Sequence, residues 1–274
     1  MPLDATGLSL VMGAAVGLVL ALTGAGGGIL AVPLLVFGLH LQMAQAAPIG
    51  LLAVGLAAAL GALLGLRDGS VRYRAALLIG LTGMLVAPLG VRLAQRLPNA
   101  PVMATFAALL GWVAWRGLRQ GSRAAREAKR PAARAPVCAM NPATGRLSWR
   151  APCTALLALT GSLSGLLSGL LGVGGGFVIV PMLAGISNVP PRGVVATSMA
   201  VIALVSVGGV LGAATQGTLA WPVALPFAAG AVLALLAGRR LSARLAGPRL
   251  QQAFGAIAAA VALLLLLRAV GAAT

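Results

Sequence analysis

The sequence has almost no acidic side chains. Asp4, Asp68 and Glu127 are the only carboxylates among its 274 residues. Each of them lies at the end of an apolar segment or in a polar stretch. Ionisable side chains inside a membrane span commonly mark proton or cation pathways. The sequence therefore excludes coupling that depends on a carboxylate within a span.

Histidine, lysine and cysteine are equally scarce. Lys129 is the only lysine, so the chain has no Gly-Lys-Ser/Thr phosphate loop, and its glycine clusters lack the sixth-position glycine of a dinucleotide fingerprint. No motif pairs a serine with the single histidine, His40, as an intramembrane protease would require. Cys138 and Cys153 fit neither metal nor disulfide spacing, and we expect no disulfide in the basic stretch around Cys138. We expect no enzyme activity, no metal site and no cofactor.

Apolar residues dominate what remains. The chain is 60% hydrophobic and only 8% charged, whereas soluble domains carry about 25% charged residues. Apolar runs of roughly 20 residues recur, which is the length that crosses a bilayer. The net charge of +17 comes from basic residues between these runs. That distribution favours positive-inside topology with some contact to anionic membrane lipids over a nucleic-acid surface. The sequence predicts an all-α polytopic membrane protein.

The two halves of the chain repeat each other. Gly172 minus Gly24 and Pro181 minus Pro33 both give an offset of 148. The same offset also pairs Gly17 with Gly165, Gly61 with Gly209, Gly69 with Gly217 and Gly90 with Gly238. A single register held this long indicates a duplication. We therefore divide the chain into a first transmembrane repeat (1–118), a basic linker (119–150) and a second transmembrane repeat (151–274).

Each repeat begins with an apolar run that a glycine cluster interrupts. The clusters are Gly24-Ala25-Gly26-Gly27-Gly28 and Gly172-Val173-Gly174-Gly175-Gly176, and a proline follows five residues after each. Glycine disfavours helix, and proline fits the first turn of one, so we expect two broken helices that restart just before Pro33 and Pro181. Broken helices are tolerated at membrane depth only where they line a cavity or are buried in protein.

The distribution of basic residues decides how the broken segments cross the membrane. If each one enters and leaves on the same side, Lys and Arg divide 17 inside to 3 outside, with the linker inside. If each one crosses once, the division is only 13 to 7. The positive-inside rule favours the first arrangement. We therefore expect two inverted repeats, each a glycine-broken re-entrant hairpin plus three transmembrane helices, with both termini outside.

Two opposed helix breaks could form an anion site, because the helix that follows each break points its positive dipole end into the membrane. The alternative is that the glycines only allow close helix packing. Ala196-Thr197-Ser198 could cap a helix or bind substrate oxygens, and the equivalent Pro48, Ile49 and Gly50 carry no hydroxyl. The candidate substrate-binding residues are Gly24, Gly26, Gly27, Gly28, Gly172, Gly174, Gly175, Gly176, Thr197 and Ser198.

At these paired glycine–proline motifs and at Ala196-Thr197-Ser198, the chain resembles the TauE/SafE sulfite exporter family, also called the sulfite/organosulfonate permeases. The resemblance covers nearly the whole chain apart from 119–150. It implies a multi-pass permease of the bacterial inner membrane for sulfite, thiosulfate or organosulfonates. A permease for another small solute and a non-transporting membrane scaffold remain the alternatives.

Overall fold

The computed structural model describes residues 3–24, 27–127, 138, 151–245 and 248–271, and nearly all of them are helical. The helices are α1 (Leu3–Thr23), α2 (Gly27–Gly38), α3 (Met43–Arg67), α4 (Tyr73–Arg96), α5 (Asn99–Glu127), α6 (Ala151–Leu171), α7 (Gly176–Ile186), α8 (Pro191–Ala214), α9 (Trp221–Leu245) and α10 (Pro248–Gly271). The part of the chain described contains no strand, only an isolated bridge between Cys138 and Ser187.

Six of these helices, α1, α3, α4, α6, α8 and α9, are long and apolar enough to cross a membrane. Their outer surfaces are apolar as well. On α4, the exposed side chains Leu77, Leu81, Leu85 and Leu89 recur every fourth residue, which places them along one face of the helix. An exposed apolar face of this kind would promote aggregation in water, whereas it is favourable in contact with lipid tails. The prediction of an all-α polytopic membrane protein is confirmed.

The helix boundaries follow the repeat. Adding 148 to the bounds of α1, 3 and 23, gives 151 and 171, which are the bounds of α6. The packing follows it too, because Gly13 of α1 lies against the carbonyl of Phe227 on α9, and Gly161 of α6 lies against the carbonyl of Ile79 on α4. Each residue of the second contact is related to one of the first by the same offset. The two halves therefore pack on each other through exchanged, equivalent contacts.

The central pair of helices, α3 and α8, runs antiparallel. Gly55 lies beside Ser206, Gly61 beside Met199, and Gly65 beside Ala196, so residue numbers rise along one helix as they fall along the other. α3 and α8 are equivalent helices of the two halves, and their opposed directions are compatible with an inverted repeat, which itself stays a prediction. The orientation of this arrangement in the membrane stays a prediction.

Helix ends also agree between the halves. Gly69 (φ 65°) follows α3 and Gly217 (φ 66°) follows α8, and each adopts the left-handed conformation that glycine allows. The backbone N–H of Ser70 donates to the carbonyl of Gly65, and that of Thr218 donates to the carbonyl of Ala213. These are the six-to-one bonds of a Schellman cap, so both helices end by the same device.

The structure corrects two sequence predictions. The broken helices restart at Gly27 and Gly176 themselves, because glycine also accepts helical angles, so Pro33 and Pro181 lie in the second turn rather than the first.

The division into two repeats and a linker stays a prediction. α5 continues to Glu127, into the predicted linker, and the rest of 119–150 apart from Cys138 lies outside the described residues.

The second correction concerns the cysteines, which form a disulfide bond between Cys138 and Cys153. The backbone N–H of Cys138 donates to the carbonyl of Ile186 at 2.9 Å, which holds residue 138 at the end of α7 and beside the start of α6. The two Cα atoms are then 5.3 Å apart, within the range that a disulfide spans. Sequence spacing alone carries no information about this approach.

Candidate functional site

The two helix breaks are built on left-handed glycines. Gly24 ends the first hairpin's long helix with φ 77°, and the second break contains Gly172, Gly174 and Gly175 with φ between 69° and 76°. Residues with a Cβ rarely adopt these angles, so the breaks depend on glycine for their backbone path. Of the predicted site residues, Gly26 lies outside the described residues.

The two breaks meet in the interior of the molecule. Gly28, in the first turn of α2, lies against the carbonyl of Val173 in the second break. Gly174 faces Val54 of α3 and Ile202 of α8, where a Cβ would be 3.3 Å and 2.9 Å from their side chains. The glycine clusters that lie far apart in sequence are thus brought into contact between the two central helices.

Each break also reaches the beginning of a central helix in the opposite half. Gly172 lies against the backbone of Ala47, the fifth residue of α3, and Gly24 lies against the side chain of Val195, the fifth residue of α8. Gly27 turns back onto its own hairpin and packs against Leu20 and Val16 of α1. These close contacts leave no room for a Cβ atom at the breaks. The same glycines are therefore needed both for packing of the helices and for the backbone path of the candidate site.

The start of α7 has unused backbone donors. Gly175 is the residue before the helix and has no side chain with which to cap it. The first N–H groups of a helix have no acceptor within it, and they carry the positive end of its dipole. The first described residues of α2, Gly27 and Gly28, likewise have no side chain. An anion is the ligand that such helix starts accept.

Buried hydroxyl groups near the second break were missed at the sequence level. Ser164 of α6 is fully buried, and its hydroxyl donates to the carbonyl of Gly175 at 3.2 Å. Ser168, one turn further along α6, and Ser206 of α8 are also buried, and neither hydroxyl has a hydrogen-bond partner in the structure. A buried hydroxyl without a partner is costly, which makes these two groups candidates to bind a substrate. The spacing of Thr160, Ser164 and Ser168 by four residues was the signal available.

Thr197 and Ser198 do not cap a helix. α8 begins six residues earlier, after Pro190, and no side chain caps it. The backbone N–H of Arg72 donates to the Thr197 hydroxyl at 3.0 Å, and the Ser198 hydroxyl donates to the carbonyl of Val194 at 2.8 Å. Both side chains are fully buried. In this conformation Thr197 connects α8 to the start of α4, and its contact with substrate stays a prediction.

None of the described residues that pack against the glycines of the two breaks is charged. The carboxylate of Asp68 is paired with Arg239 at 2.6 Å, and both side chains are well exposed at the ends of α3 and α9. Among the described residues, no group of three or more His, Cys, Asp or Glu side chains could hold a metal ion. Backbone N–H groups and hydroxyls are therefore the chemistry that the described part of the site offers.

A multi-pass bundle in which two equivalent halves meet at broken helices is the architecture of a membrane transporter. The family model of the sulfite exporter TauE/SafE matches residues 9–265. The chain therefore belongs to the TauE/SafE family and is a multi-pass membrane transporter.

Individual relatives agree with this assignment. The chain is 27% identical to a probable membrane transporter protein of Xylella fastidiosa strain Temecula1 over 263 residues, covering 93% of each chain. It is 28% identical to a protein of the same description from strain 9a5c over 260 residues, again covering 93% of each. A probable membrane transporter protein of Methanocaldococcus jannaschii is 47% identical over 60 residues, or 22% of each chain. No solved structure matches the chain.

Proposed function

We propose that the protein carries a small sulfur-containing anion, such as sulfite, thiosulfate or an organosulfonate, across the bacterial inner membrane. The observation that supports this most directly is the contact between Gly28 and the carbonyl of Val173. It brings both helix breaks to one place, where two helix starts can act on one ligand. Membership of the sulfite exporter family supports the substrate class, and the proposed activity is transport rather than a chemical reaction.

The charge of the substrate follows from what surrounds the breaks. Asp68 is engaged by Arg239 at the surface, and the other two carboxylates, Asp4 and Glu127, lie near helix ends. A cation or a zwitterion would meet no fixed negative charge there. An anion would be met by backbone N–H groups and by the partnerless hydroxyls of Ser168 and Ser206, and hydrogen bonds to charged groups are the stronger kind.

Access to the site requires the two halves to separate. Residues 27–33, which directly follow the first break, and residues 171–179, which include the second, are buried without interruption. A substrate reaches them only if the packing around α3 and α8 opens toward one side or the other. Rocking of two inverted halves about a central site would provide such alternating access.

Flux measurements test the proposal. Purified protein in proteoliposomes should move radiolabelled thiosulfate down its gradient, and unlabelled sulfite and sulfoacetate should compete with it. Taurine, a zwitterion, should compete poorly, although it has the same sulfonate group. Gly175→Leu should abolish the flux, while Gly185→Leu, at a position with open space around it, serves as the matched control. Flux equal to that of empty liposomes with every anion would overturn the proposal.

Membrane sidedness is tested separately. The distribution of basic residues predicts that the C-terminus faces the periplasm and the linker the cytoplasm. A reporter enzyme that is active only in the periplasm should be active when fused after residue 274. A fusion active only in the cytoplasm would refute the predicted sidedness and leave the transport proposal standing.

A further inference from the structure

A cavity of about 480 Å³ lies at one end of the helix bundle, and none of its lining residues belongs to the helix breaks. Its lining residues are Ser70, Arg72, Pro190, Pro191, Arg192 and Gly193. They come from the turn between α3 and α4 and from the start of α8. Asp68 and Arg239 lie at the same end, which the distribution of basic residues assigns to the cytoplasm.

The cavity has positive charge that no carboxylate among the described side chains neutralises. Arg72 and Arg192 both line it, and neither forms an ion pair with a carboxylate in the described part of the chain. The nearest acid along the sequence, Asp68, is already paired with Arg239. The Nε atom of Arg72 is buried and has no hydrogen-bond partner in the structure. A buried guanidinium nitrogen without an acceptor is unfavourable, and an anion in the cavity would supply that acceptor.

The walls of the cavity are held in place by hydrogen bonds and prolines. The backbone N–H of Arg72 is fixed by the Thr197 hydroxyl. The hydroxyl of Ser70 donates to the carbonyl of Gly65 at 3.0 Å, so it is not free to donate to a ligand in the same state. Pro190 and Pro191 restrict the backbone at the start of α8. The backbone around the cavity is therefore held in place, and the side chains of the two arginines are the hydrogen-bond donors that can adjust to a ligand.

The equivalent end of the other half lacks these charges. By the repeat offset of 148, the residue equivalent to Arg72 is Ala220, and the residue equivalent to Arg192 is Ala44. The backbone turn is nevertheless the same in both halves, with its glycine at 69 or 217. The pair of arginines is thus an addition at one end of the molecule and is not required by the shared fold.

We infer that this cavity is a binding site for a small sulfur oxyanion at the mouth of the transport path. The inference rests on the proposed function for its substrate class. The planar guanidinium groups present paired N–H donors that match the oxygens of sulfonate, sulfite or thiosulfate. The cavity would concentrate the anion next to Arg72, whose backbone is bound to Thr197 in the central helix α8. A lipid phosphate headgroup has similar oxygens and is the competing source of the same chemistry.

Calorimetry on the full-length protein tests this site, with thiosulfate as the probe. Wild type in nanodiscs of neutral phosphatidylcholine should bind thiosulfate, and Arg72→Gln and Arg192→Gln should each raise its Kd by about 10-fold, the effect of one lost hydrogen bond to a charged group. Arg67→Gln and Arg74→Gln remove the same charge at the same end, from side chains that are exposed as Arg192 is but do not line the cavity, and should leave the Kd within about 2-fold. Equal effects of all four variants would overturn the inference.

A second set of nanodiscs, containing phosphatidylglycerol, separates the two sources of the oxyanion. If thiosulfate does not bind in neutral nanodiscs, and phosphatidylglycerol is retained only when both arginines are present, the cavity is a lipid site and the inference fails. Flux in proteoliposomes distinguishes this result from failure of the proposed function. The arginine variants should raise the KM for thiosulfate and keep the maximal rate, whereas Gly175→Leu should remove the rate. If thiosulfate binds in a way that depends on the two arginines but is not transported, the proposed function fails and the inference about the cavity stands.

Discussion

The two hairpins have the same backbone plan but different polar side chains. Beside the second break, α6 carries the buried Ser164 and Ser168. α8 carries the buried Ser206, which lies beside Gly55 of α3. The equivalent positions of the first half, found by subtracting 148, are Val16, Leu20 and Ala58. All three of these are buried apolar residues. The duplicated scaffold therefore supplies helix starts from both halves, whereas these buried hydroxyls come only from the second.

The tips of the two breaks also have different neighbours. Gly172 lies against the backbone of Ala47, and the equivalent Gly24 lies against the side chain of Val195. A side chain can rotate away from a new methyl group, but a helix backbone cannot. The first break therefore has more tolerance for change than the second, and substitutions at equivalent positions can measure the difference.

The largest effect is expected at the contact between the breaks. Gly28→Ala places a methyl group against the carbonyl of Val173 and pushes the two helix starts apart. Thiosulfate flux should fall by about 100-fold or more, because misplacing binding groups by an ångström is enough for such a loss. Gly185→Ala, with nothing near its added Cβ, should transport normally. A folded Gly28→Ala variant with wild-type flux would show that the breaks need not touch.

The next largest effect is the difference in stability between Gly172→Ala and Gly24→Ala. Both glycines have φ above 70°, so the cost of placing a Cβ in the left-handed region is similar for the two. Only Gly172→Ala also forces a methyl group against helix backbone, and it should cost about 2–3 kcal/mol more. Thermal unfolding in detergent measures this difference as a lower Tm for Gly172→Ala. Equal Tm values would mean that the two breaks tolerate change equally.

A smaller effect is expected for Thr197→Val. This change removes the acceptor of the Arg72 backbone N–H and should destabilise the protein by about 1–2 kcal/mol. Ser198→Ala removes only a bond within the same helix and should cost less. Thr197→Val should also weaken thiosulfate binding. If the Thr197 hydroxyl only holds the backbone of Arg72, this effect comes from a displaced Arg72 side chain. If thiosulfate binding is weakened in Thr197→Val but not in Arg72→Gln, Thr197 contacts the anion itself.

The smallest effect on stability is expected at Ser206. Its hydroxyl is buried without a partner, so Ser206→Ala should leave the Tm unchanged or raise it, with a gain of about 1 kcal/mol at most. Thiosulfate flux should nevertheless fall if the hydroxyl binds substrate. The reciprocal change at the equivalent position, Ala58→Ser, adds a buried hydroxyl to the first half. Its thiosulfate flux tests whether a hydroxyl in that half can also serve the substrate. A lower Tm for Ser206→Ala with unchanged flux would assign Ser206 a structural role.

Much of the fold could be predicted from the sequence, because hydropathy and a repeat are properties of the chain itself. The apolar runs predicted the membrane class, and the offset of 148 holds for the bounds of α1 and α6. The breaks could be located because Gly172, Gly174 and Gly175 adopt backbone angles that other residues avoid. Positions that depend on composition and local geometry were thus accessible from the sequence.

Features that depend on contacts between distant segments could not be predicted. Thr197 does not cap a helix, and its hydroxyl accepts a hydrogen bond from the backbone N–H of Arg72, 125 residues away. Its predicted contact with substrate stays a prediction. The cavity at Arg72 and Arg192 exists only because the turn after α3 meets the start of α8. The serines of α6 were visible in the sequence, but their burial beside Gly175 was not.

The disulfide between Cys138 and Cys153 has a mechanical consequence for the transport cycle. With the bond to Ile186, it ties the entry and exit of the second hairpin together. The first hairpin has alanine at position 5, where the repeat would place Cys153, and thus lacks such a tether. A cross-link narrows the set of shapes that a chain can explore. The disulfide therefore restrains the second hairpin and not the first, and we expect the two halves to contribute unequally to the transport cycle while the bond is closed.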